Sequence, residues 1–169
     1  MKTKISIKKI ALIIALIAIA VSWRIINHSY MIAPNFELVT VVTVIAAIVL
    51  GFKAALIVPF ASMAVSDLII GNTSIFIFTW SAFLIIGLGA ILLAKLNQKS
   101  KTQILCSIGF AIFSSFFFFA LTNFGVWVQG WYPATWSGLI VCFTLAIPFY
   151  RTMLIGNIIM VPAAVAAYQ

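Results

Sequence analysis

Apolar residues run along this chain in blocks, separated by short clusters of lysine, glycine, proline and amide side chains. Several blocks approach the roughly 20 residues that a helix needs to cross a bilayer. They predict helices over residues 8–27, 36–52, 54–70, 75–94, 104–121 and 149–168. A further apolar stretch, 138–147, is too short to cross alone and runs into Pro148, a helix breaker. If it crosses together with the residues up to Tyr150, the chain has seven spans. If it forms a short extra helix or a re-entrant segment before the last span, there are six, with both ends on one side.

Composition narrows the class. The chain has 169 residues, of which 65% are hydrophobic and 7% charged, with a mean hydropathy of +1.27. A soluble core of this size could not hide so much apolar surface, so a single integral-membrane domain over residues 1–169 is expected. The net charge of +8 would suggest nucleic acid for a soluble protein, but here the lysines flank apolar spans and report topology instead. Lys2, Lys4, Lys8 and Lys9 precede the first helix and place the N-terminus in the cytoplasm. With six spans, Lys53, Lys95, Lys99 and Lys101 join them, leaving Arg24 and Arg151 on the outer side. That economy favours six. The first helix resembles a signal peptide with a cleavage site at Ala18–Ala20, yet apolar character continues to Ile26, so it is read as retained.

Several local patterns stand out. Ala11, Ala15, Ala18 and Ser22 fall at helical spacing and form one narrow stripe of small side chains, a surface for close approach by another helix. Arg24 faces nearly the other way. An outer loop over 27–35 carries His28, Tyr30 and Pro34, and Lys53 marks a tight inner turn. Pro59 kinks the third helix. Residues 71–74 turn the chain at the outer side, and Gly87, Gly89 and Ala90 suit close packing in the fourth helix. Lys95, Lys99 and Lys101 occupy the longest inner loop. Phe116 to Phe119 dominate the fifth span, and residues 122–136, TNFGVWVQGWYPATW, read as an outer loop able to act as a lid.

Candidate chemistry is sparse. One His, two isolated cysteines and two acids offer no metal site, no nucleophile–base pair and no GxxxxGK phosphate loop. Cys106 and Cys142 read as packing residues. An enzyme, an ATPase acting alone and a resident cofactor are therefore not expected. A secondary transporter or channel is disfavoured by the scarcity of intramembrane ionisable groups and the lack of an inverted repeat. What remains suits a small-molecule site at the outer helix ends, with apolar walls and a few placed polar groups. The candidates are Asp67, Asn72, Asn123, Trp127, Gln129, Trp131, Tyr132 and Arg151, although the same aromatics also suit a headgroup belt. Asp67 has a second reading, as the partner of Arg24 in a structural ion pair.

In order and sidedness these features resemble the substrate-binding S components of energy-coupling-factor (ECF) transporters, over most of the chain. Lys8-Lys9 followed by Ala11 and Ala15 resembles that family's Ala-x-x-x-Ala helix. Asp67, Leu68 and Gly71 resemble its Asp-Leu-x-x-Gly turn, before a glycine-rich helix that ends in lysines. Ile147-Pro148-Phe149 with Gly156 resembles the opening of its sixth helix, with Tyr150 where Asn is usual. Pro34-Asn35-Phe36, Ser66-Asp67-Leu68 and Thr122 to Trp127 resemble an uncharacterised branch.

The resemblance implies a six-helix S-component-like bundle in a bacterial cytoplasmic membrane that captures a vitamin-like micronutrient. The stripe of Ala11, Ala15, Ala18 and Ser22 would dock on a transmembrane coupling subunit, with ATPase subunits supplying the energy. A corrinoid, or a purine-, pterin- or thiamin-type compound, is the implied ligand class. The alternative is a structural or assembly subunit of a membrane complex that binds no small molecule.

Overall fold

In lipid a backbone N–H or C=O finds no water, so apolar segments satisfy their hydrogen bonds internally as helices. The computed structural model describes residues 6–96 and 101–169. In order these residues form α1 (Ile7–Tyr30), α2 (Val39–Leu50), α3 (Phe52–Ile70), α4 (Phe76–Ala94), α5 (Lys101–Val128) and α6 (Trp136–Tyr168). Every one except α2 is long and apolar enough to cross a membrane. The protein is a multi-pass, all-α membrane bundle.

Successive helices alternate in direction, so Lys8, Lys9, Lys53, Lys95 and Lys101, all exposed, gather at one end. Lys2, Lys4 and Lys99 lie outside the described residues. The last residue, Gln169, donates from Nε2 to Gln103 Oε1 at 3.2 Å near the start of α5, which puts the end of α6 at the lysine end too.

α2 is the centre of the bundle. Its Val-, Thr- and Ile-rich sequence has modest intrinsic helix propensity, yet most of its side chains are buried, against α1, α3, α4 and α6. Around it α1, α3, α4, α5 and α6 follow one another as packed neighbours. Close approach is set by small residues. A Cβ at Gly87 of α4 would run into the backbone oxygen of Ala55 on α3, and one at Gly89 would meet the Phe110 ring at 3.0 Å. The glycine patch seen in the sequence is thus the α3–α4 and α4–α5 contact.

The shortness of α2 shapes the rest. Its 12 residues reach about 18 Å, whereas the 19 residues of α3 reach about 28 Å. The two meet at Gly51, whose φ of 85° makes the turn at the lysine end. So α2 stops roughly 10 Å short of the far end of α3. Residues 31–38 fold back along α1 to reach it. Trp23 Nε1 donates to Phe36 O at 2.6 Å, and Asn27 brackets Ala33, donating to its O at 2.8 Å and accepting from its N at 2.9 Å. The Phe36 ring lies against Gly156 of α6, where a Cβ would come within 2.8 Å of it. Non-helical backbone is tolerated at such depth because it is packed against protein and borders a cavity.

Four sequence expectations change. The span over 36–52 shrinks to α2, because Phe36 and its neighbours are held by α1 side chains rather than by a helical ladder. Asn27 and His28, expected in a loop, belong to α1, which continues to Tyr30 and ends with Met31 at φ 50°. Lys53 lies in the first turn of α3, and Gly51 makes the bend. Residues 138–147 are neither a separate helix nor a re-entrant segment. α6 runs unbroken through Pro148 and Pro162 for 33 residues. A proline removes a single N–H from the ladder, and Thr144 and Thr152 turn their hydroxyls back onto Ile140 O and Pro148 O on either side of it.

Candidate functional site

Both acids of the chain converge on one arginine above the end of α2. Arg24 Nη2 donates to Asp67 Oδ1 at 2.9 Å, Nη1 to Glu37 Oε1 at 3.1 Å, and Nε to Ser66 Oγ at 2.7 Å. Trp80 Nε1 of α4 takes the other oxygen of Asp67 at 2.7 Å. Ser66 in turn donates to the carbonyl of Ser62 at 2.7 Å. The side chains of Arg24, Glu37 and Asp67 are 13%, 14% and 9% exposed, so three helices and the 31–38 connection are tied by a network largely shielded from water. One oxygen has no partner: Glu37 Oε2 is buried without a hydrogen bond. Burial raises the Glu37 carboxyl above its ordinary value, against the opposing pull of Arg24.

This network forms one wall of a cavity of about 530 Å³, open to the end opposite the lysines. Asn27, His28 and Asn35 line it from one side, Asn72, Thr73 and Thr79 from the other, and Met63 and Phe118 supply apolar wall. A smaller chamber of about 170 Å³ adjoins it, sharing Asn35, Ile75, Thr79 and Phe118. Its walls add Phe119, Asn123, Phe149 and Tyr150, with the Phe119 and Tyr150 rings 4.9 Å apart. The Ile147-Pro148-Phe149-Tyr150 stretch singled out in the sequence therefore reaches the chamber through Phe149 and Tyr150.

The expected site residues divide. Asp67 and Asn72 line the larger chamber and Asn123 the smaller. Trp127, Gln129, Trp131, Tyr132 and Arg151 line neither. Residues 122–128 are the last turns of α5, not a loop, so only 129–135 connect the helices. Trp127 Nε1 donates to Pro133 O at 3.0 Å and Gln129 Nε2 to Ser74 O at 3.3 Å, contacts that fasten this connection down. Trp131 is exposed and Tyr132 half-buried. Arg151 sits on the exposed face of α6, one residue beyond the wall residue Tyr150. Where the aromatic composition predicts a lid, the structure has a brace.

Glu37, Asn27, Asn35, Thr79, Phe118 and Tyr150 were not among the candidates. A signal for Glu37 existed: two acids and two arginines, Arg24 and Arg151, expected near one membrane face have few ways to pair. The helical face of Phe118 gave none, since it sits in a run of four phenylalanines.

A family model matches residues 4–169, nearly the whole sequence. Its description is a family of unknown function, DUF6580. The chain belongs to DUF6580. No curated protein and no solved structure matches it.

Two further features of this DUF6580 chain bear on function. Ala11, Ala15, Ala18 and Ser22 are all exposed, while Leu16, Ala20 and Val21 of the same helix are buried. The small-residue stripe thus plays no part in packing within the bundle. Among the described residues no group of three or more His, Cys, Asp or Glu could hold a metal. Cys142 is buried, its thiol 3.4 Å from Asn123 O, and Cys106 is exposed.

Proposed function

We propose that this protein captures a vitamin-like micronutrient at the outer face of a bacterial cytoplasmic membrane, as the substrate-binding subunit of an ECF-type transporter. The observation that carries the reading is the two-part chamber, opening at the end away from the lysines. By the positive-inside rule that end faces outward. A volume of about 530 Å³ falls within the roughly 300–1,000 Å³ range of small-molecule sites. It suits a compound of one or two rings better than a corrinoid. The walls combine apolar surface with a few convergent polar groups, as such sites do.

The exposed stripe of Ala11, Ala15, Ala18 and Ser22 fits a coupling subunit that would deliver the energy of ATPase partners. Small residues let helix backbones approach closely, which is the main source of helix association in lipid. Changing Ala11 and Ala15 together to Leu is expected to abolish uptake in cells while leaving ligand capture and thermal stability of the purified protein unchanged. Loss of stability in that variant would place the stripe inside the fold, and normal uptake would remove it from the docking surface.

The direct test is native mass spectrometry of the detergent-purified protein for a retained small molecule, followed by tryptophan quenching against a vitamin panel. Trp80, hydrogen-bonded to Asp67 beside the chamber, is the reporter. The second reading is a structural subunit of a membrane complex. It is favoured by the way Trp127 and Gln129 brace the outer connection instead of facing a ligand. An empty protein that quenches with nothing and copurifies with an inseparable membrane partner would establish that reading.

A further inference from the structure

A charge count around the larger chamber restricts what it can hold. Arg24 contributes one positive charge, and Glu37 and Asp67 contribute two negative charges when both are ionised. Among the described residues, neither α4 nor α5 brings an ionisable side chain to its wall, and the only other titratable group lining it is His28 of α1. Asp67 has both oxygens engaged, by Arg24 and Trp80. Glu37 has only one engaged, and its Oε2 is buried with no partner. A desolvated carboxylate oxygen without a donor is costly. A proton on Glu37 would avoid that cost and leave Arg24 and Asp67 as a balanced pair. A cation in the chamber, which Glu37 lines, would offset the carboxylate's charge instead. The adjoining small chamber is lined by Phe118, Phe119, Phe149 and Tyr150, and aromatic rings attract planar and cationic groups alike.

We propose that the chamber selects a ring compound bearing a basic nitrogen, an amine or amidine in its protonated form, and that this cation replaces the proton of Glu37. The inference rests on the ligand-capture reading above and names its substrate class. The exchange is balanced. The Glu37 proton leaves to bulk solvent through the open mouth of the chamber, and the ligand's positive charge takes over as counter-charge, with no bond to carbon made or broken. The flat part of the ligand lies toward Phe118 and Tyr150.

Three isosteric probes with one ring differ in charge: benzamidine (cation), benzamide (neutral) and benzoate (anion). Their binding to the full-length protein in detergent can be followed by Trp fluorescence and thermal shift. Benzamidine is expected to bind at least about tenfold tighter than benzamide near neutral pH, a difference of about 1.4 kcal/mol, and benzoate weakest of all. Proton and cation compete for the same carboxylate, so benzamidine affinity falls as pH is lowered through the Glu37 range while benzamide affinity stays flat. His28 also lines the chamber, so a His28→Gln variant must keep the pH dependence. Glu37→Gln is expected to bring the benzamidine preference down to within a few-fold and to remove the pH dependence. Should that variant fail to fold, the pH series on the unaltered protein carries the test by itself.

Equal binding of the three probes, a preference for benzoate, or a flat pH series for benzamidine overturns the proposal. The two readings also fail differently. A retained or captured ligand that is neutral or anionic refutes the cation class and leaves capture standing, whereas a protein that binds neither probe nor vitamin refutes capture itself.

Discussion

Replacing Arg24 with methionine is expected to destabilise the protein by about 3–5 kcal/mol, the cost of leaving buried charges without their partner. Arg24 is the only cation in contact with Glu37 and Asp67 among the described residues, and it also holds Ser66. Its loss therefore strands the Asp67 carboxylate and takes a donor from Glu37 and from Ser66. The measurement is unfolding of the detergent-solubilised protein, by heat or by increasing denaturing detergent. Adding Glu37→Gln and Asp67→Asn to Arg24→Met should recover much of the loss, because the uncompensated charges are then gone. Exchanging the residues, with Asp at 24 and Arg at 67, should recover little. Trp80 Nε1 donates to Asp67, and a guanidinium there would face that N–H with no acceptor. A full rescue by the exchange would show a simple pair rather than a network, and an unaltered stability in Arg24→Met would show that the cluster is open to water.

The second large effect is expected at Gly87. Any side chain there points at the backbone oxygen of Ala55, and backbone cannot rotate aside as a side chain can. Gly87→Val forces α3 and α4 apart, at a cost of about 1–3 kcal/mol or somewhat more for overpacking in a close contact. The separation would also move Asp67 on α3 away from Trp80 on α4, so Trp80 emission should shift along with the loss of stability. Gly109 serves as the control, since nothing lies within 4 Å of a Cβ built there. The same replacement at Gly109 should be close to neutral. Equal effects at the two positions would mean that the α3–α4 contact does not set the cost.

Much of the chamber's chemistry was legible before the fold. Asp67 and Arg24 stand out because charges inside apolar runs are expensive and need an explanation. The pairing between them follows from span direction alone. Glu37, one of the two acids, is not among the site candidates because it falls in a continuous apolar block in which a helix is expected from residue 36. The hydropathy of Phe36 and Leu38 made that block. Only the contacts of Trp23 with Phe36 and of Asn27 with Ala33 show the chain folding back instead. The tryptophans of 122–136 misled in the opposite direction. They do lie at the end away from the lysines, but whether an aromatic faces a ligand, a neighbouring carbonyl or the headgroups depends on where α5 stops. Thr122 to Val128 carry no glycine or proline run sufficient to end a helix, and α5 accordingly continues to Val128.

By itself, then, the sequence determined the class of protein, the alternating course of its helices and the end to which the lysines go. Those follow from hydropathy and charge, which act residue by residue and need no knowledge of neighbours. The tertiary structure alone decided that α2 is a buried half-length helix, that the space above it is a chamber, and that two acids share one arginine at its wall. A cavity is the shortfall of one helix relative to those around it, and no single segment records how far its neighbours extend.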